Sequence, residues 1–362
     1  ALGSFNFDLA PIIIVAFFTV LLVFGTKIGA RVDGAMTVLK IAIVVFVVIV
    51  GFFYVKASNF TPFIPPSQPA AATTGDGAVS AQMAQPLWQW ATGMTPSIYG
   101  VPGILSGAAL VFFAFLGFDV VATASEETKN PHKNVPLGIG VGMLLIIVMY
   151  MLVAIVTTGM VSYKDLAKQD SPSLATAFEL VGADWAAKII SFGIVLGLAT
   201  VIMVLLLGLT RIVFAMSRDG LLPRGLSKTG KHGTPAVLQI VVGVVVALVA
   251  ALFDIGVLSD MVNIGTLSAF TLVAISIPIM RKKRPELPRA FRMPGNPWVP
   301  ILIALANFWL MLNLSVLTWI RFLVWLVIGF AIYFSYGYWH ARLGKGDLSE
   351  TLSDETDRAV NG

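Results

Sequence analysis

Long apolar runs recur through this chain and fix what it can fold into. They fall at roughly 9–25, 35–55, 104–124, 137–160, 186–215, 236–253, 257–280, 299–318 and 322–341. An α-helix of about 20 apolar residues crosses the hydrocarbon core of a bilayer at ~1.5 Å per residue, and each run lies near that length. In lipid every backbone polar group must be satisfied internally, which leaves helices or closed barrels as spanning structures. The alternating ten-residue strands of a barrel are missing. With 57% hydrophobic and 12% charged residues, too few polar side chains exist to coat a soluble globule. The expected fold is an all-α integral membrane protein of about nine transmembrane helices, with the bundle at 1–341 and a polar tail at 342–362.

Basic residues set the expected orientation. Lys27 and Arg31 fall in the first loop, Lys129 and Lys133 in the third, and Arg218, Arg224, Lys228 and Lys231 in the fifth. Arg281, Lys282, Lys283, Arg284, Arg289 and Arg292 crowd the seventh, while Arg342, Lys345 and Arg358 lie in the tail. Loops of this kind stay cytoplasmic, so the tail is expected inside and the first residue outside, in a cytoplasmic (plasma) membrane. The net charge of +5 is thereby a topology signal rather than a nucleic-acid one. An outside start with an odd number of spans reads as a fragment of a longer protein. The loop at 57–100 is expected to be extracellular, its first half a solvated linker and its Trp88 and Trp90 an interfacial segment.

The chemistry available is narrow. The chain has no Cys, and His132, His232 and His340 are scattered, so neither a thiolate site nor a His cluster is expected. No phosphate-binding G-x-x-x-x-G-K-[ST] loop, H-E-x-x-H or G-x-S-x-G pattern is present. An enzyme has no candidate apparatus, and neither a cofactor nor a metal is expected.

Three places depart from a plain bundle. The stretch ILSGAALVFFAFLGFDVVATASEETKNPHKNVP, 104–136, sets Gly107, Gly117 and Asp119 into a spanning run. A charge at the centre of such a run costs about 2.5–3.5 kcal/mol. A Gly-Phe-Asp step there either lines a water-filled cavity or combines close helix packing with a snorkelling carboxylate. Lys40 lies inside the second run, where desolvation disfavours its charged form and suits it to carrying a proton; snorkelling to the near surface is the alternative. Thr200, mid-way along the fifth run, could coordinate an ion or a Lys, or bond its own helix. Arg211, Arg218 and Asp219 precede Gly220 and Pro223 in a helix-stop pattern. Glu126 and Glu127 stand beside Lys129 and Lys133 as a latch or as an ordinary solvated loop.

With these residues in view, the chain resembles the amino acid–polyamine–organocation superfamily, most closely its cationic amino acid transporter branch. The resemblance rests on FFAFLGFDVVATASEETKNPHKNVPLGI, on TVLKIAIVVFVVIVGFFYV followed by NFTPF, on TRIVFAMSRDGLLP, and on NIGTLSAFTLVAIS ending in RKKRPELPRAFRMP. It implies a LeuT-like inverted-repeat bundle in which the runs are family helices four to twelve and helices one to three are absent. Such carriers hold the substrate's α-amino and α-carboxylate groups on backbone exposed at broken helices. By that resemblance the sixth-helix break falls at Phe113, Ala114, Phe115 and Leu116, with Asp119 just beyond. Phe113 would gate or pack the substrate, Ala114 and Leu116 would offer backbone groups, and Asp119 would favour an amino group or join proton coupling. Lys40 would take the place of a sodium site. The implied function is secondary transport of a small-molecule L-amino acid through a lipid membrane, with the proton as coupling ion. Exchange without net proton flow, a channel and a non-transporting scaffold are the alternatives. With roughly half the site present, transport by this chain alone is not expected.

Overall fold

The computed structural model describes residues 9–24, 26–69, 82–94, 97–118, 121, 128–169, 172–227, 235–286 and 293–341. Its longer helices lie on the apolar runs, and short ones fall between them. They are α1 (Leu9–Phe24), α2 (Thr26–Phe52), α3 (Leu87–Thr92), α4 (Gly100–Val111), α5 (Pro131–Met160), α6 (Tyr163–Leu166) and α7 (Leu174–Leu180), followed by α8 (Asp184–Arg218), α9 (Ala236–Leu252), α10 (Ile255–Lys283), α11 (Trp298–Leu312), α12 (Val316–Ile332) and α13 (Tyr338–His340). Among the described residues, Lys133–Met160, Asp184–Arg218, Ile255–Lys283 and Val316–His340 are long and apolar enough to cross a membrane. Five shorter apolar helices accompany them. Large apolar side chains such as Leu144, Met151, Phe192, Leu272 and Trp325 point outward, which suits a lipid surround and would be a liability in water.

The ends of these helices follow from their sequences. Pro131 opens α5 in the first turn, where its missing N–H is no loss. Ser173 caps α7 by accepting the Thr176 N–H at 3.1 Å. Asp184 in the first turn of α8 and Arg218 in its last both complement the helix dipole. Past Arg218, Gly220 turns left-handed at φ +83° and the Leu221 N–H reaches back to the Met216 carbonyl at 2.9 Å, the hydrogen-bonded stop that the Asp-Gly-x-x-Pro pattern predicts. Arg218 and Asp219 pair with each other at the surface, at 3.3 Å.

The chain divides into two compact units. One comprises 1–30, 201–254 and 321–362. In it α1 packs along α9 around Val15, Leu22, Leu238 and Val242. The crossing is close at Gly243, where any β-carbon would overlap the Thr19 hydroxyl. That hydroxyl donates to the Val15 carbonyl at 2.7 Å.

The other unit comprises 31–200 and 255–320. Its core joins Val47 of α2, Val156 and Met160 of α5, Phe178 of α7, and Ala187 and Ile190 of α8. Helix α2 lies against α8 at Gly193, where a β-carbon would overlap Ile43. A small residue lets two spanning helices approach this closely. Helices α10 and α11 form a packed pair, and α10 also touches α4. A two-residue antiparallel ladder, β1 (Gln68–Pro69) with β2 (Ser97–Ile98), pairs Gln68 with Ile98.

Four expectations need correction. Lys27 and Arg31 are not in a loop: α2 begins at Thr26, because nothing in TKIGARVDGAM stops a helix that the apolar run then continues. The run at 299–318 is not one span. Helix α11 ends at Leu312 with Asn313 at its cap, and α12 starts at Val316. Nor is the first part of 57–100 a solvated linker throughout. Residues 57–60 form a 3₁₀ turn packed on α5, and the Gly159 carbonyl accepts both the Lys56 N–H (2.9 Å) and Asn59 Nδ2 (2.7 Å). Trp88 likewise does more than rest at an interface. Its Nε1 donates to Asn313 Oδ1 at 3.0 Å, whereas Trp90 is exposed. Asp119, Glu126 and Glu127 lie outside the described residues, as do 342–362.

Candidate functional site

Helix α4 stops inside its own apolar run. Its α-helical part ends at Val111, residues 112–115 tighten into a 3₁₀ turn, and Leu116 is extended at φ −67° and ψ 148°. Gly117 follows at φ +116°, a conformation open to Gly and strained for L-residues. A helix that ends this way releases backbone carbonyls from the i→i−4 ladder, which then need other partners. One is visible: the Ala114 carbonyl accepts the Tyr150 hydroxyl of α5 at 2.8 Å. Phe115 packs edge-on against the same Tyr150 ring at 5.0 Å. On the other side Phe270 of α10 meets Phe112 at 6.2 Å and Phe118 at 5.3 Å. Phe113 is 41% exposed, so the turn presents an aromatic and a stretch of loosened backbone on an open face.

Lys40 lies in the apolar part of α2, which runs from Met36 to Phe52. It is half-buried, and its stem lies over Gly197 of α8, Cγ standing 4.0 Å from where a β-carbon on that glycine would be. Ile43 against Gly193 and Lys40 against Gly197 share one seam, each pair about a helical turn from the other. Thr200 continues the same face of α8. It is buried and donates to the Gly197 carbonyl at 2.9 Å, so its proton is held by its own helix and its lone pairs are what it can offer. Among the described residues none forms a hydrogen bond or ion pair with Lys40. The structure thus brings Lys40 and Thr200 to one helix crossing, and Phe113, Ala114, Phe115 and Leu116 to one turn. No His, Asp or Glu grouping able to hold a metal exists among the described residues.

Two hollows among the described residues lie elsewhere. A cavity of about 390 Å³ at the N-terminal end of α4 is lined by Asn59, Phe60, Tyr99, Gly103, Thr158 and Tyr163 among others, and one of about 540 Å³ lies by Lys56, Ser162 and Asp165. The break is the stronger candidate because peptide groups freed from a helix have hydrogen bonds to give, whereas the first cavity is walled mainly by rings and prolines.

Residues 9–338 match the amino acid permease family. The chain belongs to it. A branched-chain amino acid permease of Bacillus subtilis (strain 168) is 41% identical over 95% of this chain and 67% of its own length. A methylthioribose transporter of the same organism is 38% identical over 94% of this chain and 66% of its own. A vacuolar cationic amino acid transporter of Arabidopsis thaliana is 34% identical over 77% and 42%. The permease chain therefore spans about two thirds of the length of its bacterial relatives and less of the plant one. Family and relatives are permeases and transporters rather than enzymes, and the apolar helices agree with a multi-pass membrane protein.

In the permease, sequence reasoning passed over Tyr150. Its signal was a lone phenol inside the run at 137–160, since a buried or half-buried Tyr hydroxyl usually finds a partner. Tyr150→Phe keeps the ring on Phe115 and removes the bond to Ala114. The expected loss is about 1 kcal/mol of support for the turn, read as a several-fold lower uptake rate with little change in melting temperature. Wild-type uptake by this variant would show that the hydroxyl is dispensable.

Proposed function

We propose that the permease is a secondary active carrier of L-amino acids, with the substrate's charged α-groups held by the backbone at Phe113–Leu116. The interruption of α4 carries the reading: a spanning helix gives up its ladder only where something else satisfies the freed groups. Ala114 and Leu116 offer peptide groups, Phe113 and Phe115 pack the passenger, and Asp119 attracts its ammonium group or joins the proton path. Lys40, with Thr200 beside it, carries the coupling proton in symport. Phe112, Phe118, Phe270 and Tyr150 around the turn favour a neutral, apolar side chain over a cationic one, in line with the branched-chain permease among the relatives. The bundle is LeuT-like, extends over 1–341, and sits in the plasma membrane with its C-terminus in the cytoplasm, an orientation supported by Arg281, Lys282 and Lys283 in the last turn of α10.

The test is uptake of labelled leucine, alanine and arginine into liposomes holding the permease expressed from its own gene, with and without an imposed proton gradient. Leucine accumulation driven by the gradient is expected. Uptake indifferent to the gradient would remove symport, and no uptake of any amino acid would remove the carrier.

A further inference from the structure

Among the buried polar groups, the amide of Asn263 stands apart. The residue is fully buried in α10, and among the described residues neither its Oδ1 nor its Nδ2 has a hydrogen-bond partner. The other buried side-chain atoms without a partner are single oxygens, Oε1 of Gln85, Gln89 and Gln239 and Oδ1 of Asn296. Exchanging O and N at Asn263 changes nothing, because both ends are unpaired. An unpaired buried polar group costs about 1–3 kcal/mol. Ile264 and Leu267, equally buried close by, meet the same packing demand with apolar side chains. Packing alone therefore gives no reason for an amide here.

Its position suggests one. Residues 263, 267, 270 and 274 share a face at helical spacing. Phe270 on that face touches Phe112 and Phe118, which flank the break, and α10 packs on both α4 and the 3₁₀ turn. Seven residues from Phe270, Asn263 lies about 10 Å along α10 from that contact. The amide is thus held on the side of α10 that meets the broken helix, two turns away from the break.

We propose that Asn263 lines the passage to the break and hydrogen-bonds a polar traveller there, either the charged groups of the amino acid or water that moves with it. The inference rests on the carrier reading. A carboxamide offers two donors and two acceptor lone pairs, so it can meet ammonium, carboxylate or water in turn.

The decisive variant is Asn263→Leu, nearly equal in size and without the amide. Its melting temperature should equal or exceed that of wild type, because an orphaned group has gone, while leucine uptake falls about tenfold or more, the size expected when one such bond is lost from the transport barrier. Equilibrium binding of labelled leucine separates the two sources. A weakened Kd assigns the bond to the amino acid, and an unchanged Kd with slowed uptake assigns it to water. Unaltered uptake would overturn the proposal. So would a melting temperature lowered by several degrees in both Asn263→Leu and Asn263→Ala, which would mean that the amide has a structural partner. If wild-type permease takes up no amino acid, the carrier reading itself fails, a result distinct from either.

Discussion

Gly117→Leu is expected to cut amino acid uptake by about fivefold or more while leaving the permease folded and inserted. Gly117 sits at φ +116°, and a β-carbon there would meet nothing within 4 Å. Crowding is therefore not the problem. The backbone is: an L-residue held in a Gly-only conformation costs about 1–3 kcal/mol, which converts to roughly 5- to 150-fold in a rate or an equilibrium. The variant relieves that strain by moving Gly117 and, with it, the peptide groups of Leu116 and Ala114. Because the cause lies in φ rather than in size, Gly117→Ala should lose nearly as much as Gly117→Leu. Uptake in liposomes, with size-exclusion chromatography to confirm folding, checks both. A large loss with Leu and none with Ala would place the cause in side-chain bulk, and wild-type uptake in both would suit a scaffold.

Lys40→Met is expected to abolish the dependence of uptake on an imposed pH gradient. The thioether keeps most of the length and the apolar stem that lies over Gly197, so the seam of α2 with α8 should persist. What disappears is a group able to take and release a proton inside the apolar part of the helix. Gradient-driven accumulation should fall to the level of simple equilibration, while exchange of labelled for unlabelled leucine continues. Accumulation that still follows the gradient would remove Lys40 from the coupling path. Arginine at the same position should also fail, since a guanidinium stays charged throughout.

The spanning helices were readable because burial in lipid demands long apolar runs, and those runs are local. What lay beyond reach depends on partners far along the chain. The onset of α2 at Thr26 was hidden by Lys27 and Arg31, whose charges mark a membrane boundary and do not mark a helix boundary. The docking of Trp88 needed Asn313, and the support of the Ala114 carbonyl needed Tyr150; neither spacing has a sequence signature. The turn at Phe112–Gly117 was anticipated through family resemblance, since Gly and Asp in an apolar run are equally compatible with close packing. The unpaired amide of Asn263 had no signal beyond being an Asn among apolar neighbours.

Helix α11 has 15 residues and α9 has 17. At ~1.5 Å per residue they reach about 22 and 26 Å, less than the ~30 Å thickness of typical hydrocarbon. Trp298 opens α11 largely exposed, a residue suited to the headgroup level, and Asn313 closes it. In the proposed bundle, where α11 crosses the bilayer, lipids bordering it would have to thin, or the headgroups dip, at a fraction of a kcal/mol for each ångström of mismatch. Acyl-chain length would thereby act on the α10–α11 pair that backs the broken helix, and thin bilayers would be the ones that fit it.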